Sequence, residues 1–177
     1  HSVYTGLIAR TLGRKLGFRN GERLFAAGLL HNIGLLLLIE QRPEAVGRIL
    51  ANYAEQVHEL VEKTELGFSF ADCGAALMEL WHLPSSLSLL VKCQHNPDQA
   101  GQDAVAATLV AFGLFGARHL MASLPASQDS DYLRAIPPEY YANLQMDKAR
   151  LSDALAQTQQ FAMQVLSIIA PGSAVAA

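Results

Sequence analysis

Charge is scarce in this chain. Only 16% of its 177 residues are charged, with 13 Lys and Arg against 16 Asp and Glu for a net of −3, and no basic run occurs. The electrostatic footprint that grips a phosphodiester backbone is therefore missing, and no nucleic-acid partner is expected. Cysteine is rare too. Cys73 and Cys93 lack CxxC spacing, which favours two reduced, buried thiols in a cytoplasmic protein over a disulfide framework. No apolar run reaches the roughly 18–20 residues of a membrane span uninterrupted. The nearest, residues 26–39 and 105–117, are broken by His31-Asn32 and closed by Arg118-His119, so a membrane is not expected as a partner. A signal-peptide pattern, an internal repeat, a low-complexity block and strand-like alternation are all absent from the sequence. The chain opens at His1 on what reads as a helical face, and is taken as a fragment whose first helix lacks its start.

What is present is apolar and helical. Half of the chain (51%) is hydrophobic, enough to bury a core at this length. Val3, Leu7, Ile8, Thr11, Leu12 and Leu16 recur at helical spacing, and Gly17 ends that stretch as a C′ glycine would. Asn20 is a good N-cap for a second helix that runs through His31 to about Gly34, where glycine is expected to break it. Pro43 suits the first position of another helix, with Val46, Ile49, Leu50, Tyr53 and Val57 as its stripe. Residues 58–66 continue as helix to Gly67, and Ala71 to Trp81 form the next, with Gly74 and Ala75 small enough for close packing. His82-Leu83-Pro84 is a turn, residues 85–94 a short helix, 99–102 a loop and 105–121 a buried helix. Residues 122–138 make a polar, proline-rich excursion. Asp147 can cap a last helix whose stripe is Leu151, Ala154, Leu155, Thr158, Phe161, Ala162, Val165, Leu166 and Ile169. The expected fold is all-α, a compact helical array forming one domain over residues 1–170, with a flexible tail at 171–177.

The chemistry centres on residues 24–38, LFAAGLLHNIGLLLL, where His31 and Asn32 sit in an otherwise apolar run. Burying two polar side chains costs free energy unless they find partners. One reading is a satisfied hydrogen-bond site: Asn32 closes a buried helix end and His31 is held as one tautomer. The other is a former chemical site. Of the remaining histidines, His1 is in phase with Thr5, Ile8 and Leu12, and His95 ends a short helix. His58 and His119 lie near charges and are expected to face solvent, while His82 lies in a turn. Trp81 is expected to pack in the core.

The runs H-S-V-Y-T-G-L-I-A-R, F-A-A-G-L-L-H-N-I-G-L-L-L-L, E-L-G-F-S-F-A-D-C-G-A-A-L-M-E-L-W-H-L-P and C-Q-H-N-P together resemble the HDOD family, relatives of the HD metal-dependent phosphohydrolases found in bacterial signalling proteins. The resemblance covers His1 to about Met121, and Ile136-Pro137-Pro138-Glu139 with the last helix resembles the family's C-terminal part. The family's N-terminal helices would lie before His1. In catalytic HD enzymes a first histidine, a His-Asp pair and a later Asp hold divalent metal, and the metal-bound water attacks a phosphoester. The resemblance puts His1 at the first ligand and His31-Asn32 at the pair. An amide thus stands where a bridging carboxylate belongs.

Three further departures accompany it. Phe70 stands where relatives often carry histidine, Gln94-His95 where many read His-His, and residues 105–117, VAATLVAFGLFGA, hold no acid for the closing Asp. His1, His31, Asn32 and His95 are therefore expected to form a degenerate HD site, without catalytic residues or cofactor. No metal is expected, although His1, His31 and His95 are the candidates for a Zn²⁺ or Ni²⁺ ion should they converge. The implied function is a non-catalytic bacterial signal-transduction module that binds another signalling protein or domain, or a small regulatory ligand. The other reading of Trp81 is that it forms a partner surface with Leu83 and Pro84. The alternatives are a residual phosphohydrolase or phosphodiesterase acting on nucleotides, and a nucleotide sensor drawing positive character from His1, His31, Arg10 and Lys92. Asp129 or Asp147 reaching the pocket beside a cation would reverse the non-enzymatic reading.

Overall fold

The computed structural model describes residues 1–51, 58–122 and 132–169, and every regular element among them is helical. In chain order these are α1 (Ser2–Lys15), α2 (Gly21–Leu30), α3 (Ile33–Gln41), α4 (Pro43–Ala51), α5 (His58–Leu66), α6 (Phe70–Leu80), α7 (Ser85–Lys92), a 3-10 segment (Pro97–Asp103), α8 (Ala104–Ala122), α9 (Pro138–Leu144) and α10 (Lys148–Ile169). They group into two compact units, one of His1–Leu29 with Thr108–Ala177, the other Leu30–Ala107.

In the first unit α1 lies against α10. Its end is fixed by Gly17 at φ 74°: the Phe18 N–H reaches the Gly13 carbonyl at 2.8 Å and the Gly17 N–H reaches Arg14 at 3.2 Å. This is the paired bonding by which a left-handed residue satisfies the last carbonyls of a helix. Asn20 caps α2 as expected, its Oδ1 accepting the Arg23 N–H at 3.4 Å. Arg10 ties the two helices together, lying over the Phe25 ring at 5.0 Å and reaching Glu22 at 3.4 Å. The α1 and α2 backbones touch at two glycines, since a Cβ on Gly6 would sit 2.6 Å from the Phe25 carbonyl oxygen and one on Gly28 would overlap Gly6 itself. Ile8, Leu12, Leu24, Leu109, Phe112 and Leu151 fill the interior, and the Tyr141 ring meets Phe112 edge-on at 5.0 Å. Asp147 caps α10 by accepting the Arg150 N–H at 2.8 Å. Leu151, Ala154, Leu155, Thr158 and Ala162 are buried as the period requires, but Phe161 is 50% exposed and belongs outside the stripe.

In the second unit α3 packs on α6, α6 on α7, and α4 on both α3 and α5. Its core joins Leu38, Val46, Ile49, Val61 and Phe70, with Leu35, Leu66 and Cys73 against them. Leu50, expected in the α4 stripe, is exposed. Pro43 and Gly67 (φ 83°) begin α4 and end α5 as the sequence implies. Gly34 does not. α2 already ends at Leu30, His31 and Asn32 form the turn, and Gly34 lies inside α3. Its missing side chain serves packing: a Cβ there would overlap the Phe70 carbonyl oxygen and sit 2.5 Å from the Gly74 N. Residues 99–102, expected as a loop, belong to the 3-10 segment. By length and mean hydropathy Gly21–Gln41 and Pro97–Ala122 would suffice to cross a membrane; the first is interrupted by the His31-Asn32 turn and most of the second is buried. Tyr53, Val57, most of the 122–138 excursion, the 171–177 tail and Asp129 lie outside the described residues, as do the side chains of His58, Val165, Leu166 and Ile169.

Candidate functional site

The sequence pattern singled out four positions. His1 belongs to the first unit; His31, Asn32 and His95 belong to the second. His1 is exposed at the start of α1, where its carbonyl accepts both the Thr5 N–H at 2.9 Å and the Thr5 hydroxyl at 3.1 Å. His31 is 3% exposed. Asn32 is half-buried and begins α3 through its backbone, its carbonyl accepting the Leu36 N–H at 3.0 Å. Its side chain makes no capping bond, so the expected role of that amide in closing a helix end is not what the geometry provides.

The second unit does bring two of the motifs together. After α7 the chain turns through Cys93, Gln94 and His95, and the buried Gln94 side chain points inward. Its Nε2 donates to the His31 carbonyl at 3.2 Å across 63 residues. The Gln94 Oε1 is also buried and has no hydrogen-bond partner among the described residues. So Gln94, where the family resemblance leads one to expect histidine, ties down the backbone of the His31-Asn32 turn. His95 is exposed, and its neighbour Asn96 donates to Glu59 at 2.8 Å, the carboxylate that also holds Lys63. Phe70 is a core residue. Among the described residues no group of three or more His, Cys, Asp or Glu is placed to hold a metal ion.

Sequence reasoning missed the polar cluster that starts α6. The Ser69 hydroxyl accepts the Asp72 N–H and the Asp72 carboxylate accepts the Ser69 N–H, both at 3.0 Å. Glu62, only 3% exposed, accepts the Phe70 N–H at 2.6 Å. Three N–H groups that a helix start leaves without intrahelical partners are thereby satisfied, at the end where the helix dipole favours anions. The Ser-x-x-Asp signature was legible as a capping box; Glu62 was not, because its partner lies on another helix. Burial pushes the Asp72 carboxyl up, but hydrogen bonds from the Ser69 N–H and hydroxyl, with Lys63 and Lys92 nearby, outweigh it and hold the group below its ordinary value. Burial raises the thiols of Cys73 and Cys93, so neither is an activated nucleophile.

Beside this cluster a cleft of about 480 Å³ opens between α3 and α6, lined by Leu37, Phe68, Asp72, Cys73, Ala76, Leu77 and Leu80. Leu36, Leu80 and Trp81 are 64%, 71% and 54% exposed. Trp81 is thus not the core residue expected, because α6 ends there with His82 in a left-handed conformation (φ 57°). His119 is half-buried rather than solvent-facing, and Lys92 is exposed.

Residues 1–97 match the model of the HDOD domain. Three solved structures share the fold. A candidate phosphohydrolase from Shewanella amazonensis is 24% identical with a TM-score of 0.69, covering 88% of this chain and 57% of its own. A candidate signal transduction protein from Marinobacter aquaeolei is 23% identical with a TM-score of 0.66, covering 90% and 34%. An HDOD domain protein of unknown function from Geobacter sulfurreducens is 19% identical with a TM-score of 0.65, covering 96% and 58%. The chain therefore spans less than three fifths of each of these proteins. None of the curated proteins matches it.

Proposed function

The chain belongs to the HDOD domain family, and from that premise we propose that it is a non-catalytic signal-transduction module with a degenerate HD site, acting by binding another signalling protein or a small regulatory ligand. The observation that carries the reading is the Gln94 bond to the His31 carbonyl. At the positions that the family resemblance ties to the HD site, this chain presents His1, the buried His31, an amide at Asn32 and His95, with Gln94 and a phenyl ring at Phe70 where the resemblance expects histidine. An amide offers one neutral oxygen and a phenyl ring none, so hard divalent cations lose the charged ligands they need. Residues 105–117 supply no acid, and Asp147 is engaged at the start of α10. The binding side of the proposal is supported by the α3–α6 cleft, whose mostly apolar lining includes the exposed Leu80, and by the exposed Trp81 that follows Leu80 in sequence, since exposed apolar surface marks interaction sites.

The test is elemental analysis of protein purified without chelator, paired with a phosphodiesterase and nucleotide phosphohydrolase assay in Mg²⁺, Mn²⁺ and Ni²⁺. Sub-stoichiometric metal and no turnover above buffer are expected. Stoichiometric metal with turnover that Asn32→Ala abolishes would overturn the reading in favour of a residual phosphohydrolase.

A further inference from the structure

The cleft between α3 and α6 has a shape and a charge that select among partners. Leu37, Phe68, Cys73, Ala76, Leu77 and Leu80 give it apolar walls, Asp72 is the one acid among its lining residues, and neither lysine nor arginine lines it. On α6 the lining runs from Asp72 to Leu80, a little over two helical turns or about 12 Å. Apolar anchors at positions i, i+4 and i+7 of a partner helix span about 10.5 Å. A helix laid along α6 thus places three of them in this groove.

Charge borders the groove on both helices. Successive residues of a helix turn by about 100°, so residues three apart lie about 60° apart around the axis. Glu40 follows the lining Leu37 by three residues, on the side away from the buried Leu38, and Glu79 follows the lining Ala76 by three. Both carboxylates are exposed, and neither is held by an ion pair among the described residues. Asp72 adds less, because its Oδ2 accepts the Ser69 N–H and hydroxyl while Lys63 and Lys92 act on it. An apolar floor flanked by Glu40 and Glu79 complements a helix that carries aliphatic anchors on one stripe and lysine or arginine on its flanks.

We propose that this cleft docks a basic amphipathic helix of a partner protein. The proposal rests on the reading of the chain as a binding module and names the partner's chemistry.

The probe is a fluorescein-labelled amphipathic peptide of leucine and lysine, about 18 residues long, titrated into the full chain by fluorescence anisotropy. Saturable binding with a Kd on the order of 10–100 μM is expected. Bound peptide should slow the alkylation of Cys73, half-buried in the cleft wall, by N-ethylmaleimide, read by peptide-mapping mass spectrometry. Leu80→Ser should weaken binding about tenfold, and Leu80→Met should hold it within about twofold. Glu40→Gln combined with Glu79→Gln should weaken it about three- to tenfold and flatten its dependence on salt. Asp153→Asn, which removes an exposed acid of α10 in the other unit, should leave it unchanged. All four positions are exposed, and far-UV circular dichroism checks that the variants fold. No saturation with the unaltered chain, equal affinity for the same peptide with glutamate in place of lysine, parental affinity in Leu80→Ser or in the double variant, or an unprotected Cys73 would each overturn the proposal. Self-association of the chain that Leu80→Ser abolishes would assign the face to a second copy and overturn it as well. Stoichiometric metal with turnover would strike the underlying reading whatever the peptide does; failure of the peptide in a chain without metal or turnover strikes this proposal alone.

Discussion

Gly34 and Gly47 show how differently one missing methyl group acts at two helical positions. A Cβ at Gly34 would overlap the Phe70 carbonyl oxygen, which is backbone and cannot rotate away; a Cβ at Gly47, exposed in α4, would meet nothing within 4 Å. Alanine gains roughly 1 kcal/mol of helix propensity over glycine at either site. At Gly34 the overlap wins, because α3 and α6 would have to separate, and overpacking of this kind costs about 1–3 kcal/mol or more. Gly34→Ala is therefore expected to destabilise by about 2 kcal/mol, and Gly47→Ala to stabilise by about 0.5–1 kcal/mol. Urea denaturation of both variants checks the pair; equal effects would show that the α3–α6 approach is not as tight as described. The same scale explains what was hidden at the site. That Asn32 lacks a carboxylate is plain in the sequence. That Gln94 holds the His31 carbonyl is not, because the bond spans 63 residues and uses a backbone atom with no sequence signature.

Among the elements, α6 has a start held by three side chains. Ser69, Asp72 and Glu62 together satisfy its first N–H groups, and the helix in turn packs on both α3 and α7. Ser69→Ala is expected to cost about 1 kcal/mol, the usual worth of an N-cap hydroxyl. The pH dependence has a definite sign. The Asp72 carboxyl is held below its ordinary 3.8 in the folded chain, so the folded state favours the ionised form. That contribution is complete above the unfolded value and is lost as the pH falls through the lower folded one. Stability measured by urea between pH 6 and pH 2 should fall less steeply at the acid end in Asp72→Asn than in the parent. An unchanged slope would mean that the cap titrates the same whether or not the chain is folded. Element boundaries in the sequence were clearest where backbone chemistry is local, at Gly17, Asn20, Pro43, Gly67 and Asp147. They failed at Gly34, where the glycine answers to a neighbouring helix.

At the scale of the whole molecule, burial among the described residues is most continuous in the middle of α8, where Ala106, Ala107, Leu109, Val110, Ala111, Phe112, Leu114 and Ala117 are all buried. In α5, by contrast, Leu60 is exposed and Val61 and Glu62 carry the burial. Native-state hydrogen exchange should find its slowest amides in α8 and faster, locally opening ones in α5; exchange in α8 as fast as in α5 would refute that ranking. By itself, the sequence determined the helical class, the family and which side chains stand at positions 1, 31, 32 and 95. Period, caps and side-chain charge are properties of residues and their near neighbours, so they can be read along the chain. Only the tertiary structure decided that Trp81 lies outside, that Glu62 lies inside, that Gly34 serves a crossing rather than a break, and that Leu37 of α3 shares a cleft with Leu77 and Leu80 of α6. Each of those depends on which surface a second helix covers, a long-range packing outcome that no local pattern encodes.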